Sequence, residues 1–263
     1  MNKTDYALMV LGCDRNAELI PMFLRNLKKY WPQYQKEVYI NTESVVTHSD
    51  DFKLIYPTHK CDINTPWAKR LYNFLQEYPY DYVVFLLDDF ILSDYVDNDE
   101  LNRVYNIMKE HSEIACFNFM ETYKDAKDSV KEAYGRYYLK NRKAEFRINL
   151  QAAIWRKDFL MKFIRKHENP WQFETWGCIR SRRYKEDIYH LQKGTKRVFD
   201  YLEGGVLADN KWRGDSAVDF MKREGFDIDF TKRGVYFEGD KRKTEIKHRS
   251  FMQKIWEVTR SLI

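Results

Sequence analysis

The stretch Tyr82-Val83-Val84-Phe85-Leu86-Leu87 is continuously apolar and runs directly into Asp88-Asp89. A strand without a polar face has no side to give to water, so it belongs in the middle of a sheet covered on both faces. That confines the chain to layered α/β architectures. The flanking sequence agrees. Tyr6 to Leu11 is a second apolar strand, followed by Gly12-Cys13-Asp14-Arg15-Asn16, a turn with capping residues. Leu19, Ile20, Phe23, Leu24, Leu27 and Trp31 then recur at three- and four-residue spacing before Pro32, the mark of an amphipathic helix that ends there. Val38 to Asn41 and Leu54 to Tyr56 read as short strands, and a helix from about Pro66 carries Trp67, Leu71, Phe74 and Leu75.

Strand and helix alternation over the first half predicts a doubly wound, mostly parallel sheet. In such sheets ligands bind beyond the carboxyl ends of the strands. Asp14-Arg15-Asn16 and Asp88-Asp89 both fall at such ends and are expected to share a cleft. Further on, the sequence predicts a helix near Asn102 to Glu110, a strand from Ile114 to Phe119 and a polar, Tyr-rich excursion from Glu121 to Lys143. A strand from Arg147 to Trp155 follows, then a short helix near Asp158 to Ile164 and a helix whose first turn holds Pro170. Val198 to Leu207 reads as strand-like, with a turn at Gly204-Gly205. The expected division is one catalytic unit over 1–240 and a basic amphipathic helix over 241–263 that belongs to it.

With 263 residues, 44% of them apolar and 32% charged, the chain can bury a sizeable core and falls among soluble globular proteins. Its longest apolar run is too short to cross a bilayer and its start lacks the apolar stretch of a secretory signal, which predicts a cytoplasmic protein. Cys13, Cys61, Cys116 and Cys178 have no CxxC or histidine spacing and read as reduced, mostly buried thiols. The net charge of +5 is concentrated late, in Lys241-Arg242-Lys243 and Lys247-His248-Arg249. A nucleic acid, an anionic membrane surface and a merely solvated face would each suit that tail. No P-loop, finger or RNP motif is present, so neither a nucleotide kinase nor nucleic-acid binding is expected.

Adjacent carboxylates at the end of a buried strand repel unless a cation or hydrogen bonds compensate them. A divalent ion shared with substrate phosphate oxygens would do so, and a solvated strand-end turn is the plainer alternative.

Several pieces together resemble the GT-A glycosyltransferases, in particular small bacterial enzymes that build lipopolysaccharide and capsule. They are Leu11-Gly12-Cys13-Asp14-Arg15, Trp67-Ala68-Lys69-Arg70-Leu71, Val84 to Phe90 around the acidic pair, Gln151 to Trp155, and Pro170-Trp171-Gln172-Phe173-Glu174. The resemblance implies a GT-A-like α/β fold, a nucleotide-sugar donor with UDP as the default, and a glycan or lipid-linked acceptor. It also implies Mn²⁺ or Mg²⁺ as cofactor. The family's DxD motif is not literal here, and Asp88 and Asp89 stand as a shortened version, with Asp89 the foremost metal ligand and Asp88 reaching donor and metal. It further assigns Asp14 and Arg15 to the nucleotide, Arg70 to the donor phosphates, Glu174 to the general base of an inverting transfer, and Trp171 and Trp176 to the acceptor sugar. The plainer alternatives are a helix cap for Asp14, a surface arginine for Arg70 and a dipole-complementing glutamate for Glu174. The C-terminal helix could rest on an anionic inner membrane face or pack on the chain's own core. A metal-dependent phosphotransferase or phosphatase and a non-enzymatic nucleic-acid-binding or scaffolding protein are the rival readings.

Overall fold

The computed structural model describes residues 6–123, 128, 134–239 and 251–262. The order of elements is β1 (Tyr6–Leu11), α1 (Leu19–Tyr30), β2 (Val38–Asn41), β3 (Leu54–Ile55), α2 (Trp67–Glu77) and β4 (Tyr82–Leu87). Then come α3 (Asn98–Glu110), β5 (Ile114–Thr122), β6 (Tyr137–Leu139), β7 (Ala153–Arg156), α4 (Lys157–Phe163), α5 (Pro170–Ser181) and β8 (Asp187–Gln192). The chain closes with β9 (Leu207–Ala208), β10 (Lys211–Arg213), α6 (Gly214–Arg223), β11 (Val235–Tyr236) and α7 (Phe251–Leu262).

Eight strands form one sheet in the order β3-β2-β1-β4-β7-β5-β8-β6. β1 is parallel to β2 and β4, β2 to β3, and β5 to β8, while β7 runs against both of its neighbours and β6 against β8. The fold is therefore mixed α/β, with a mostly parallel sheet flanked by helices rather than an all-parallel one. β4 lies between β1 and β7, and its four central residues are buried, as its composition requires. Alternate residues feed two cores. Leu8, Val10, Val84 and Leu86 pack with α1 and α3, whereas Ala7, Met9, Val83 and Phe85 pack with α2, α4 and α5.

A smaller sheet, β11-β10-β9, joins this body through α6 and a third core of Leu19, Ile91, Val206, Trp212 and Phe220. The final turn of α7 docks on α5. Arg180 and Arg183 donate from Nη1 to the carbonyls of Ser261 and Leu262, which satisfies two of the acceptors a helix leaves open at its C-terminus. Trp256 on α7 is exposed, and the basic runs between 241 and 249 lie outside the described residues. Among the described residues no helix is long and apolar enough to cross a membrane.

Several expectations need correction. Residues 147–152 are irregular and β7 begins only at Ala153, because Arg147 turns inward to donate to the carbonyls of Ser181 and Glu186. α3 begins at Asn98, where the Asp97 side chain accepts the Glu100 N–H. The 121–143 excursion contributes the end of β5 and the edge strand β6, with 124–127 and 129–133 outside the described residues. Residues 198–206 form no ladder beyond one bridge between Leu92 and Tyr201. The four cysteines are free, but only Cys116 is fully buried.

Candidate active site

The site starts from the register of β1 and β4. Leu11 pairs with Leu87, so Gly12 and Asp88 leave the sheet side by side, and the Asp88 N–H donates to the Leu11 carbonyl at 3.1 Å. A Cβ at Gly12 would stand 2.9 Å from Asp88 Oδ2, so only glycine lets the carboxylate lie against this backbone. The Cys13 N–H donates to Oδ2 at 3.3 Å and Asn16 Nδ2 to Oδ1 at 3.4 Å.

Asp89 is held by residues more than a hundred positions away. The Val206 N–H donates to its carbonyl at 3.0 Å and the Leu207 N–H to its Oδ2 at 3.4 Å. Gly205 adopts φ 80°, and a Cβ there would overlap Asp89 Oδ2. Arg213 fastens this loop, with Nε on the Gly205 carbonyl at 3.0 Å and Nη2 on those of Gly204 and Leu207 at 2.5 and 2.9 Å. The two carboxylates are only 4% and 9% exposed. Burial holds both well above the usual carboxylate range, and Asp89 raises Asp88 further. Partial compensation comes from Asn16 and the Cys13 N–H at Asp88, and from the Leu207 N–H and Arg213 at Asp89.

The pair opens into a cleft of about 540 Å³. Gly12, Cys13 and Asn16 line it beside the acids, while Trp67, Pro170 and Trp171 supply an apolar, aromatic wall. Trp67 begins α2 and meets Phe173 edge-on at 5.5 Å. Trp171 is 74% exposed on the first turn of α5, which starts with a capping box between Asn169 and Gln172 and Pro170 behind it. Asp209 and Asn210, the two-residue turn between β9 and β10, lie at the rim with φ of 50° and 62°. Left-handed pairs of this kind suit tight hairpins and are tolerated best by Asn and Asp.

Of the residues singled out in the sequence, Asp88, Asp89, Arg70 and Trp171 converge on this cleft. Arg70 is not a surface arginine: it lines the cleft from within the fold. It is 2% exposed, donates from Nη2 to the Gly12 carbonyl at 2.7 Å and forms an ion pair with Glu43. Asp14 neither lines the cleft nor caps the following helix. Its carboxylate accepts the N–H groups of Glu43, Ser44 and Val45 and the Ser44 hydroxyl. Burial raises its pKa, but these bonds outweigh that and hold the carboxyl below its ordinary value. Arg15 turns into a different cavity, and Trp176 is half-buried away from the cleft. Glu174 stands behind the wall, where Oε1 accepts the Leu150 N–H at 2.7 Å. Burial raises its pKa against the pull of that bond, and Leu150, not Glu174, reaches the cleft.

Asn16 is the one member of the Asp14-Arg15-Asn16 turn that shares the cleft with the acids, whereas Trp67, Gly205, Asp209 and Asn210 belong to the site without having been read as such. For the Asp209-Asn210 dipeptide a signal existed, since it is a hairpin turn sequence between two short strands. For Gly205 only the unusual Gly-Gly pair hinted at close approach.

The sequence matches no family model and no curated protein. Solved structures align with low similarity. TarS 1–349 from S. aureus aligns at 14% identity and TM-score 0.48, over 73% of this chain and 59% of that one. The same fragment in complex with UDP aligns at 11% and 0.46. A cytidylyltransferase from Leptospira borgpetersenii serovar Hardjo-bovis aligns at 11% and 0.43, over 85% of this chain and 96% of its own. The chain thus spans about six-tenths of the TarS fragment.

Proposed function

We propose that this chain is a glycosyltransferase that uses a nucleotide-sugar donor with Mn²⁺ or Mg²⁺. The observation that carries the reading is the acidic pair itself: two buried, mutually repelling carboxylates at the carboxyl ends of a covered sheet, facing an aromatic wall across an open cleft. Raised proton affinity at both acids is the charge signature that a bound cation relieves. Among the described residues no third carboxylate, histidine or cysteine joins them to complete a protein-only cage. The donor set therefore fits an ion of the Mg²⁺ type, which takes one or two carboxylates and fills its remaining positions with phosphate oxygens and water. When bound there, such an ion would stabilise negative charge on the departing diphosphate.

The chain's own residues supply the rest. Asn16 and the Cys13 N–H orient Asp88, the Gly205–Leu207 loop orients Asp89, and Trp67 and Trp171 offer ring faces to the donor. In the transfer, the acceptor oxygen bonds to the anomeric carbon and the bond from that carbon to the diphosphate oxygen breaks. The acceptor proton passes to a carboxylate. Asp209 lines the cleft and suits that task better than Glu174, whose geometry makes it a brace for Leu150. A bacterial glycan or lipid-linked glycan as acceptor follows from the resemblance of the sequence motifs.

The test is calorimetric titration of wild type and Asp89→Asn with UDP, GDP and CMP, with and without Mn²⁺. Metal-dependent binding of one nucleotide by wild type, lost in the variant, is expected. Binding of none of them under either condition would overturn the reading. Release of pyrophosphate from CTP, rather than of a nucleoside diphosphate from a nucleotide sugar, would reassign the same cleft to nucleotidyl transfer.

A further inference from the structure

A second cavity, of about 710 Å³, adjoins the acidic cleft, and Asn210 lines both. Three segments wall it: the entry to α1, the β9–β10 hairpin, and the stretch from Asp227 to Arg233. Arg233 ties the three together. Its Nε donates to Glu18 Oε1 at 2.6 Å, Nη1 to the Asn210 carbonyl at 3.2 Å and Nη2 to the Arg15 carbonyl at 2.7 Å. The Arg233 charge also reaches Asp88, which places the cavity within electrostatic range of the acidic pair.

The lining has a distinct chemistry. Arg15, Lys232 and Arg233 face Glu18, Asp227 and Asp229, so the charges balance, while Met22 and Ile228 give an apolar surface. The buried Trp212 also lines it, and its indole N–H has no hydrogen-bond partner among the described residues. A site for a phosphate would gather cations alone. One for an apolar chain would not spend six charged side chains. Donors and acceptors around an apolar patch suit a hydroxyl-rich ring, whose C–H face is apolar and whose rim both donates and accepts.

Building on the glycosyltransferase reading, we propose that this cavity is the acceptor subsite and takes an uncharged saccharide. A hydroxyl of that saccharide would reach past Asn210 into the donor cleft. Arg15 is then an acceptor-binding residue. The turn Asp14-Arg15-Asn16 divides its work, with Asp14 on the 43–45 loop, Asn16 on Asp88 and Arg15 in the second cavity.

The experiment is saturation-transfer NMR on the full chain with the methyl glycosides of glucose, galactose, N-acetylglucosamine and rhamnose, alongside UDP titration in Mn²⁺. Arg15→Ala and Asp227→Ala alter exposed side chains outside the acidic cleft. A hydrogen bond to a charged group is worth about 1.5–3 kcal/mol, so each variant should weaken the bound glycoside by about tenfold or more. Nucleotide affinity should stay within about twofold, below the roughly 0.6 kcal/mol of thermal energy. Glycoside binding that UDP displaces, or that both variants leave unchanged, would overturn the proposal, as would no binding of any glycoside. If wild type binds a glycoside in this cavity but no nucleotide, the donor reading fails and the saccharide site stands.

Discussion

At the scale of single residues, the site depends on two glycines that make room for two acids. Gly205→Ala would place a Cβ on Asp89 Oδ2 at a backbone φ of 80°. The left-handed conformation alone costs a non-glycine residue about 1–2 kcal/mol, and the clash adds to it. The expected outcome is a lowered urea midpoint together with loss of Mn²⁺-dependent nucleotide binding, read by chemical denaturation and calorimetry. His190 gives the chain a separate pH response. It is fully buried, with Nε2 donating to the Arg147 carbonyl at 3.2 Å and Nδ1 facing the Thr122 hydroxyl at 3.4 Å. Its pKa is lowered from 6.5 to about 4, chiefly by burial and in part by the Lys140 and Arg147 charges, against the raising pull of the Arg147 carbonyl and Asp128. Because the folded value lies below the unfolded one, the unfolded chain takes up the proton first. The neutral ring's contribution is complete above pH 6.5 and is lost as pH falls from there towards 4, by about 3 kcal/mol in all. Subtracting the stability curve of His190→Gln from that of wild type should isolate this slope, and a flat difference would reject it.

At the scale of elements, the cleft is an assembly of element ends. α2 and α5 both present a tryptophan on their first turn, and a backbone bond from the Ala68 N–H to the Glu168 carbonyl at 3.1 Å sets these two starts side by side. Trp171 is exposed, so Trp171→Ala should leave unfolding stability within about 0.5 kcal/mol of wild type. Stacking of a base on an aromatic face is worth about 1–3 kcal/mol, so nucleotide affinity should fall roughly tenfold if the ring covers the donor. Unchanged affinity would place the donor elsewhere in the cleft. Both helices were legible in the sequence, α2 from its apolar periodicity and α5 from Pro170 in its first turn, while the Asn169–Gln172 capping box emerged only in the structure. The proximity of their starts was not legible, because it depends on a contact between residues one hundred positions apart.

Across the whole molecule, the C-terminal helix is tied to that same wall. Arg180 pairs with Glu168 at 2.8 and 3.0 Å and donates to the Ser261 carbonyl, with all three residues at most 1% exposed. His167 Nε2 and Ser261 Oγ lie 2.9 Å apart. Glu168 precedes the Asn169 cap and holds α2 through its carbonyl, so docking of α7 is passed to both tryptophans. Arg180→Met strands a buried carboxylate and should cost about 3–5 kcal/mol, measured as a shift of the denaturation midpoint. Arg180→Lys, which keeps charge without the fork, should recover only part of it. By itself the sequence determined that a covered strand ends in two acids and that helices flank it, since these follow from covalent adjacency and from periodicities a few residues long. Tertiary structure decided what those acids meet. The reversed β7, the inward turn of Arg70, the diversion of Arg15 to a second cavity and the loop from Gly204 to Leu207 over Asp89 all depend on partners dozens to more than a hundred residues away. Such partners are chosen by packing and hydrogen-bond satisfaction in the folded chain, and no local pattern records them.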